Sequence, residues 1–321
     1  MKKILSTIDI GRSTNSSSIE YWPLDHNKSL FPQLTRLMFK CKNYDVIFLN
    51  MPTNLEMLFC FVAKIIYSHR IKIVAIDLIL RKPYDNKTKL ISKAKSLLIN
   101  SFDLILMFSQ DTSGYEKYYK VKKDKFSYIP FKPNNLAMLD KVTKQDGDYI
   151  VSLGTSQRDY RLLIESLRPL KLKTKIVASS IGIIKNNANI NDESLPSFIE
   201  HISYKTSALE WNELIAGSKF VVVPIIKETI QPAGVSVYLE AMALGKAVVV
   251  TRGASTNGVL SNDLAELVDE GDVEGLRSAV KELWYNDERR NLLEQNGHNY
   301  ASSLKGHERL MDDIRNILDR V

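Results

Sequence analysis

A chain of 321 residues with 44% hydrophobic content can bury a full core and is long enough for two domains. Two cysteines, Cys41 and Cys60, and five scattered histidines exclude a disulfide framework, a C-x-x-C redox pair and a zinc site of ordinary spacing. The net charge of +7 divides unevenly, +12 over residues 1–145 and −5 over 146–321; the excess is mostly lysine and lies in no recognisable nucleic-acid-binding module, so the expected partner is a membrane surface or a phosphorylated substrate and not nucleic acid.

The opening MKKILSTIDIGRS has too brief an apolar run for a signal peptide and reads as a first strand. The most apolar stretch, residues 57–63, lies between Glu56 and Lys64 and is too short to span a bilayer. The expectation is a cytoplasmic protein, soluble or peripheral on the inner face of the cell membrane. Strands are predicted at 4–8, 45–49, 71–76, 104–108 and 126–129, with helices at 55–68, 88–101 and 114–120 between them. Such alternation predicts a parallel sheet covered on both faces. The proline-containing IPFKPNN (129–135) breaks the pattern, and the polar run KVTKQDGD (141–148) is the best linker candidate. A second series follows, with strands at 149–153, 175–178, 220–223 and 247–250. Tyr160, Leu163, Ile164 and Leu167 share one helical face, and the stretches after Gly271 and over 307–321 keep the same period. The outcome is α/β, two consecutive units of similar size, with ligands expected beyond the carboxyl ends of the strands.

The informative segment is VVVPIIKETIQPAGVSVYLEAMALGKAVVVTRGASTNGVL (221–260). Gly234, Val235 and Ser236 lie at the predicted start of a helix, where unpaired backbone N–H groups and the helix dipole favour an anion. Glu240 follows one turn after Ser236 on the same face, in an apolar stretch where a carboxylate needs a partner. The run Leu239-Glu240-Ala241-Met242-Ala243-Leu244-Gly245-Lys246-Ala247-Val248-Val249 resembles the L-E-A-M-A-x-G-x-P-V-V helix of retaining glycosyltransferases of GT-B architecture, in particular glycosyltransferase family 4. Residues 152–167 and 267–301 resemble neighbouring parts of the same donor domain, so that most of 149–301 is covered; the N-terminal half matches only in layout.

The resemblance implies two Rossmann-like parallel-sheet domains facing a central cleft. An acceptor-side domain would span 1–144 and a nucleotide-sugar donor domain 145–321, with the last helix (307–321) crossing back to the first. Glu240 would hold the ribose hydroxyls, and Arg158, where the family has a lysine, would bind the donor diphosphate, aided by the amides of Gly234–Ser236. Thr155 stands where the family has a second cation, with Arg161 or Arg252 as substitutes. Pro232 stands in place of the first glutamate of the family's E-x7-E motif; either the adjacent Gln231 or Glu228 replaces it, or activity is altered or lost. In the N-terminal half, Gly11 and Arg12 lie in the loop that in the family approaches the sugar. Asp77 ends a strand where the family often has histidine followed by an acid, and the histidine is missing.

Asp146-Gly147-Asp148 has D-x-D spacing but follows a linker, so it reads as a hinge, and neither a metal nor a separate cofactor is expected beside the nucleotide-diphosphate sugar. The helix over 88–101 carries Lys87, Lys89, Lys93 and Lys95 beside Leu90, Ile91, Ala94, Leu97 and Leu98; a second lysine patch lies over 117–125. Both suit an anionic membrane surface. The implied activity is metal-independent, retaining transfer of a hexose-type sugar from a UDP- or GDP-like donor to a glycan or lipid-linked acceptor in cell-surface polysaccharide synthesis. The rival readings are a GT-B sugar-nucleotide epimerase or hydrolase, and a non-catalytic nucleotide-sugar-binding homologue.

Overall fold

Short Val-, Ile- and Leu-rich strands alternating with helices bury both of their faces only as parallel sheets between helical layers. The structure, a computed structural model, describes residues 2–11, 17–67, 70–134, 136–139, 141–179, 190, 195–203 and 206–321. The described N-terminal elements are β1 (Lys2–Ser6), β2 (Ser17–Tyr21), α1 (Leu30–Cys41), β3 (Val46–Asn50), α2 (Asn54–Tyr67), β4 (Lys72–Ile76), α3 (Asn86–Ile99), β5 (Leu104–Met107), α4 (Ser113–Tyr119) and β6 (Phe126–Tyr128). Their strands form one wholly parallel sheet in the order β2-β1-β3-β4-β5-β6. The inward strands are near-continuous apolar runs: Val46, Ile47, Phe48 and Leu49 are all buried.

The following elements are α5 (Leu136–Leu139), β7 (Ile150–Leu153), α6 (Tyr160–Leu167), β8 (Thr174–Val177), β9 (Ile199–Ile202), α7 (Ala208–Ala216), β10 (Phe220–Val223), α8 (Val235–Ala243), β11 (Val248–Thr251), β12 (Glu266–Val268), α9 (Val273–Tyr285), α10 (Asp287–Ser303) and α11 (His307–Arg320). A second parallel sheet has the order β12-β11-β10-β7-β8-β9, with β10 and β7 at its centre. One apolar cluster, built on Val151, Val221 and Leu239, lies on one side of it; the other, built on Ile150, Leu163 and Val280, lies on the opposite side.

The chain divides into two compact units, residues 1–130 with 308–321 and residues 131–307. The C-terminal stretch joins the first unit, where Lys2 Nζ donates to the Asp319 carbonyl at 2.7 Å and Arg309 Nη1 to that of Pro130 at 2.9 Å. The unit boundary lies ahead of the one read from sequence, after 144, because Phe131, Leu139 and Val142 pack on the second unit's core. The run expected to be a linker, 141–148, is likewise built into that unit. Gln145 N donates to the Ala216 carbonyl, Lys144 pairs with Glu294 at 2.5 Å, and Asp148 with Lys173 at 2.6 Å. Gly147 is no hinge: a Cβ added there would overlap the Gly217 carbonyl, so two backbones meet at this glycine.

Gly147→Ala is therefore expected to destabilise the second unit by about 3 kcal/mol, the upper end of overpacking costs. A chemical-denaturation midpoint indistinguishable from that of the parent protein would contradict this backbone contact.

Candidate functional site

The carboxyl end of β7 turns at Gly154 (φ +98°), and the loop that follows runs antiparallel to the end of β10 through an Arg158–Ile225 bridge. Asp159 N donates to the Pro224 carbonyl and Ile226 N to that of Gln157, each at 3.0 Å, while Asp159 caps α6 by accepting from Leu162 N. Held on both sides in this way, Arg158 is only 2% exposed. Its Nε donates to the Leu153 carbonyl at 3.0 Å and its Nη1 to that of Ser156 at 2.8 Å. No carboxylate pairs with it among the described residues. Burial holds its pKa below the usual guanidinium range, yet arginine does not shed its proton under such pressure. The result is a buried cation whose charge, among the described residues, is met by carbonyl dipoles and by no carboxylate.

Two glycines make room beside that guanidinium. A Cβ on Gly154 would lie 3.0 Å from Arg158 Nη2, and one on Gly234 would lie 3.7 Å from Nη1 and 2.8 Å from Val223 Cγ1. Gly234 has φ +92°, a conformation open to glycine, and it precedes α8 without any side-chain cap. The first amides of α8 thus begin beside Arg158, with the positive end of the helix dipole added to the guanidinium charge. Val235 is buried in the core and Ser236 half-buried at this start.

One turn on, Glu240 is 5% exposed, and Trp211 Nε1 on α7 donates to its Oε2 at 2.9 Å. Burial raises its pKa, while hydrogen bonds from Trp211 and Asn134 and the charge of Lys132 act in the opposite direction. Trp211, Lys132 and Asn134 were not singled out from the sequence. The IPFKPNN stretch drew notice there only as a break in pattern, and a tryptophan on a helix has no signature of its own. Of the two replacements considered for the missing motif glutamate at Pro232, Gln231 is buried and its Oε1 accepts no hydrogen bond. Glu228 is exposed at φ +61°, and its backbone N–H donates to Glu270 Oε2 at 2.8 Å. Arg252, one of the two expected substitute cations, is instead paired with Asp269 at 3.2 Å; the other, Arg161, is exposed.

Arg158, Gln231, Gly234–Ser236 and Glu240 thus all belong to the second unit. Gly11 and Asp77 belong to the first, and Arg12 lies outside the described residues. Gly11 (φ +73°) packs so closely on Arg315 that a Cβ would lie 2.9 Å from Nη1. Asp77, at φ +56° after β4, has its carboxyl pushed up to about 6 by burial. Met51, after the neighbouring β3, also has positive φ, so two non-glycine residues are strained side by side at the carboxyl ends of this sheet. Among the described residues, no group of three His, Cys, Asp or Glu side chains could hold a metal, and no helix is long and apolar enough to cross a membrane.

Residues 149–286 match the family described as glycosyl transferases group 1. Among curated proteins none matches the sequence significantly. Solved structures of similar fold include HepE of Anabaena in complex with UDP-glucose, 14% identical over the whole of both chains with TM-score 0.70. The sucrose-phosphate synthase of Thermosynechococcus elongatus is 16% identical over 95% of this chain and 82% of its own, with TM-score 0.65. A glycosyltransferase from Rickettsia africae is 12% identical over 94% and 84%, with TM-score 0.64. The fold is that of GT-B glycosyltransferases, and residues 149–286 are similar to the group 1 glycosyl transferase domain.

The raised pKa of Asp77 has a stability signature. Its folded value of about 6 lies above its ordinary value of 3.8, so stability is fully present below pH 3.8 and is lost as pH rises through about 6. Asp77→Asn should therefore raise stability at pH 7 by roughly 1–2 kcal/mol, after allowance for partial exposure, and leave it unchanged near pH 3.5. Urea midpoints of the two proteins at both pH values give the comparison; equal midpoints at pH 7 would contradict it.

Proposed function

We propose that the protein is a glycosyltransferase that takes a nucleotide-diphosphate sugar and passes the sugar to a glycan or lipid-linked acceptor in cell-surface polysaccharide synthesis, with retention of anomeric configuration and without a metal. The observation that carries the reading is the buried, carboxylate-free Arg158 guanidinium beside the uncapped start of α8. Two adjoining sources of positive charge suit two linked phosphates. Their stabilisation of the departing diphosphate is the role a metal ion fills elsewhere. Glu240, oriented by Trp211, is assigned to the ribose hydroxyls, because a carboxylate accepts from two vicinal hydroxyls at once.

Gln231 is assigned to the sugar. It is buried where Glu228 is exposed, and its amide oxygen still lacks a donor that a sugar hydroxyl would supply. Gly11 and Asp77 are assigned to the sugar or acceptor side, and Arg12 to the same loop. The UDP-glucose bound to HepE supports a uridine diphosphate donor. Pro232, in place of a motif glutamate, favours a second reading, in which the protein binds the nucleotide sugar without transferring it.

Calorimetric titration with UDP and GDP tests the donor site. Binding of one of them is expected, weakened about tenfold to a hundredfold in Glu240→Gln by loss of charged hydrogen bonds. No binding of any nucleoside diphosphate would remove both readings, and binding without sugar transfer to any lipid or glycan acceptor would select the second. Turnover, where found, is expected to survive excess EDTA; abolition by EDTA and restoration by a divalent cation would sink the metal-independent mechanism.

A further inference from the structure

The outer face of the N-terminal helical layer has a composition that folding does not explain. The helices α1, α2 and α3 pack side by side in that order, as right-handed crossovers running one way across a parallel sheet require. Each buries a narrow inward stripe, with Leu34, Leu37 and Cys41 on α1, Met57, Cys60 and Ala63 among others on α2, and only Ser92 and Ile99 on α3. Their outward stripes are apolar as well. Phe39 of α1 is 71% exposed, Ile65 of α2 65%, and Leu90 and Leu97 of α3 69% and 67%. Phe31, Leu58, Ile66 and Ile91 are exposed beside them. Between α1 and α2 the surface sinks into an apolar groove of about 240 Å³, lined by Phe31, Met38, Phe39, Leu55, Leu58 and Val62.

Within α1–α3 the exposed charge is all positive, while the exposed Asp85 caps the start of α3. On α3, Leu90, Ala94 and Leu97 follow i, i+4, i+7 along the outward side; at 100° per residue, Lys87 falls on one flank of that stripe and Lys89 and Lys93 on the other. All three lysines are exposed and make no ion pair among the described residues. The three helices contain a single acidic side chain, Glu56, which is buried and accepts from Thr53 N at 2.7 Å. Further along the same layer, Lys117 on α4 and Lys120, Lys122 and Lys123 after it are exposed too, beside the half-buried Glu116 and the exposed Asp124.

An occupant of this face must accept protruding leucine, isoleucine and phenylalanine and must carry negative charge. A second copy of the face would set lysine against lysine. A polynucleotide would answer the lysines but not the aliphatic stripes. An anionic leaflet answers both, with an acyl boundary for the stripes and headgroup phosphates at the depth of the lysines.

We propose that the outer face of α1–α3 docks the protein on an anionic lipid bilayer, with Phe39, Ile65, Leu90 and Leu97 entering the headgroup–acyl boundary. The proposal deepens the reading of a lipid-linked acceptor and rests on it for its purpose, whereas its test needs neither donor nor acceptor. Flotation of the full chain with phosphatidylcholine–phosphatidylglycerol vesicles is expected, with little on phosphatidylcholine alone and weakening as salt rises. Leu90→Ser/Leu97→Ser should lower the partition constant by roughly tenfold or more, and Lys87→Gln/Lys89→Gln/Lys93→Gln by about fivefold per lysine. Both variants change only exposed side chains, so their thermal melts should match that of the parent.

Absence of flotation with anionic vesicles, or unchanged flotation of both variants, overturns the proposal. So does a concentration-dependent dimer that Leu90→Ser/Leu97→Ser dissociates, since a second copy would then own the face. Tighter binding to single-stranded nucleic acid than to anionic vesicles, lost on lysine removal, overturns it as well. Nucleotide binding without vesicle binding would leave the donor site standing and remove only the docking face. Vesicle binding without nucleotide binding would do the reverse.

Discussion

Moving a guanidinium out of water is expensive, and the cost is ordinarily met by a carboxylate. Arg158 is in the unusual position of being buried with carbonyl oxygens as its partners. Much of the second unit's local geometry makes sense as a means of keeping it there. The loop carrying it is tied to the end of β10 through Pro224 and Ile226. Tyr160, the first residue of α6, is fully buried and donates to the Gly154 carbonyl, fixing the turn ahead of it. Glycines at 154 and 234 keep any side chain out of the space around its Nη atoms. A surface arginine needs none of this.

The helix α8 couples that charge to the rest of the unit. Its first residues follow an uncapped left-handed glycine, and its middle places Glu240 against Trp211. Its far end turns at Gly245 (φ +67°) into Lys246, which is 1% exposed and donates to the carbonyls of Gln145 and Ser218 at 2.5 Å each. Burial brings the Lys246 ammonium down to about 8. One short segment therefore presents its amino end and Glu240 toward the candidate site, while its carboxyl end clamps the 141–148 run to the sheet. Its residues join the candidate site to the packed core, which accounts for so dense a sequence signal.

Legibility in the sequence followed the strength of periodicity. Buried parallel strands are continuous apolar runs, and those read from sequence lie within two residues of β1, β3–β8, β10 and β11. The elements passed over have weaker signals. β2 (SSIEY), β9 (IEHI) and β12 (ELV) are edge strands whose apolar runs are broken by polar residues, and α1 carries Pro32 in its first turn, where a proline is tolerated because that N–H lacks a helical partner anyway. Gly234 and Glu240 could be picked out because they sit in one contiguous motif, and Arg158 because it sits in a second one over 152–167. Trp211, Lys132 and Asn134 were not, since they reach Glu240 from far along the chain and only tertiary structure brings them there. The 141–148 run misled because a polar, charged stretch reads as a linker even where backbone contacts, one apolar side chain (Val142) and ion pairs tie it to a core.

Unbalanced burial does not by itself mark a ligand site. Asn212 on α7 is wholly buried, and both atoms of its amide lack hydrogen-bond partners. A neutral amide can take a water molecule in place of a protein partner. Arg158 differs in kind, because water can solvate its donors but cannot neutralise its charge. It also differs in setting, since an uncapped helix start and a space kept clear by two positive-φ glycines adjoin it. Each of these features is costly or neutral for folding on its own. Their convergence on one guanidinium is what an anion with two closely spaced charges would select, and it separates this candidate site from the other polar groups buried in this unit.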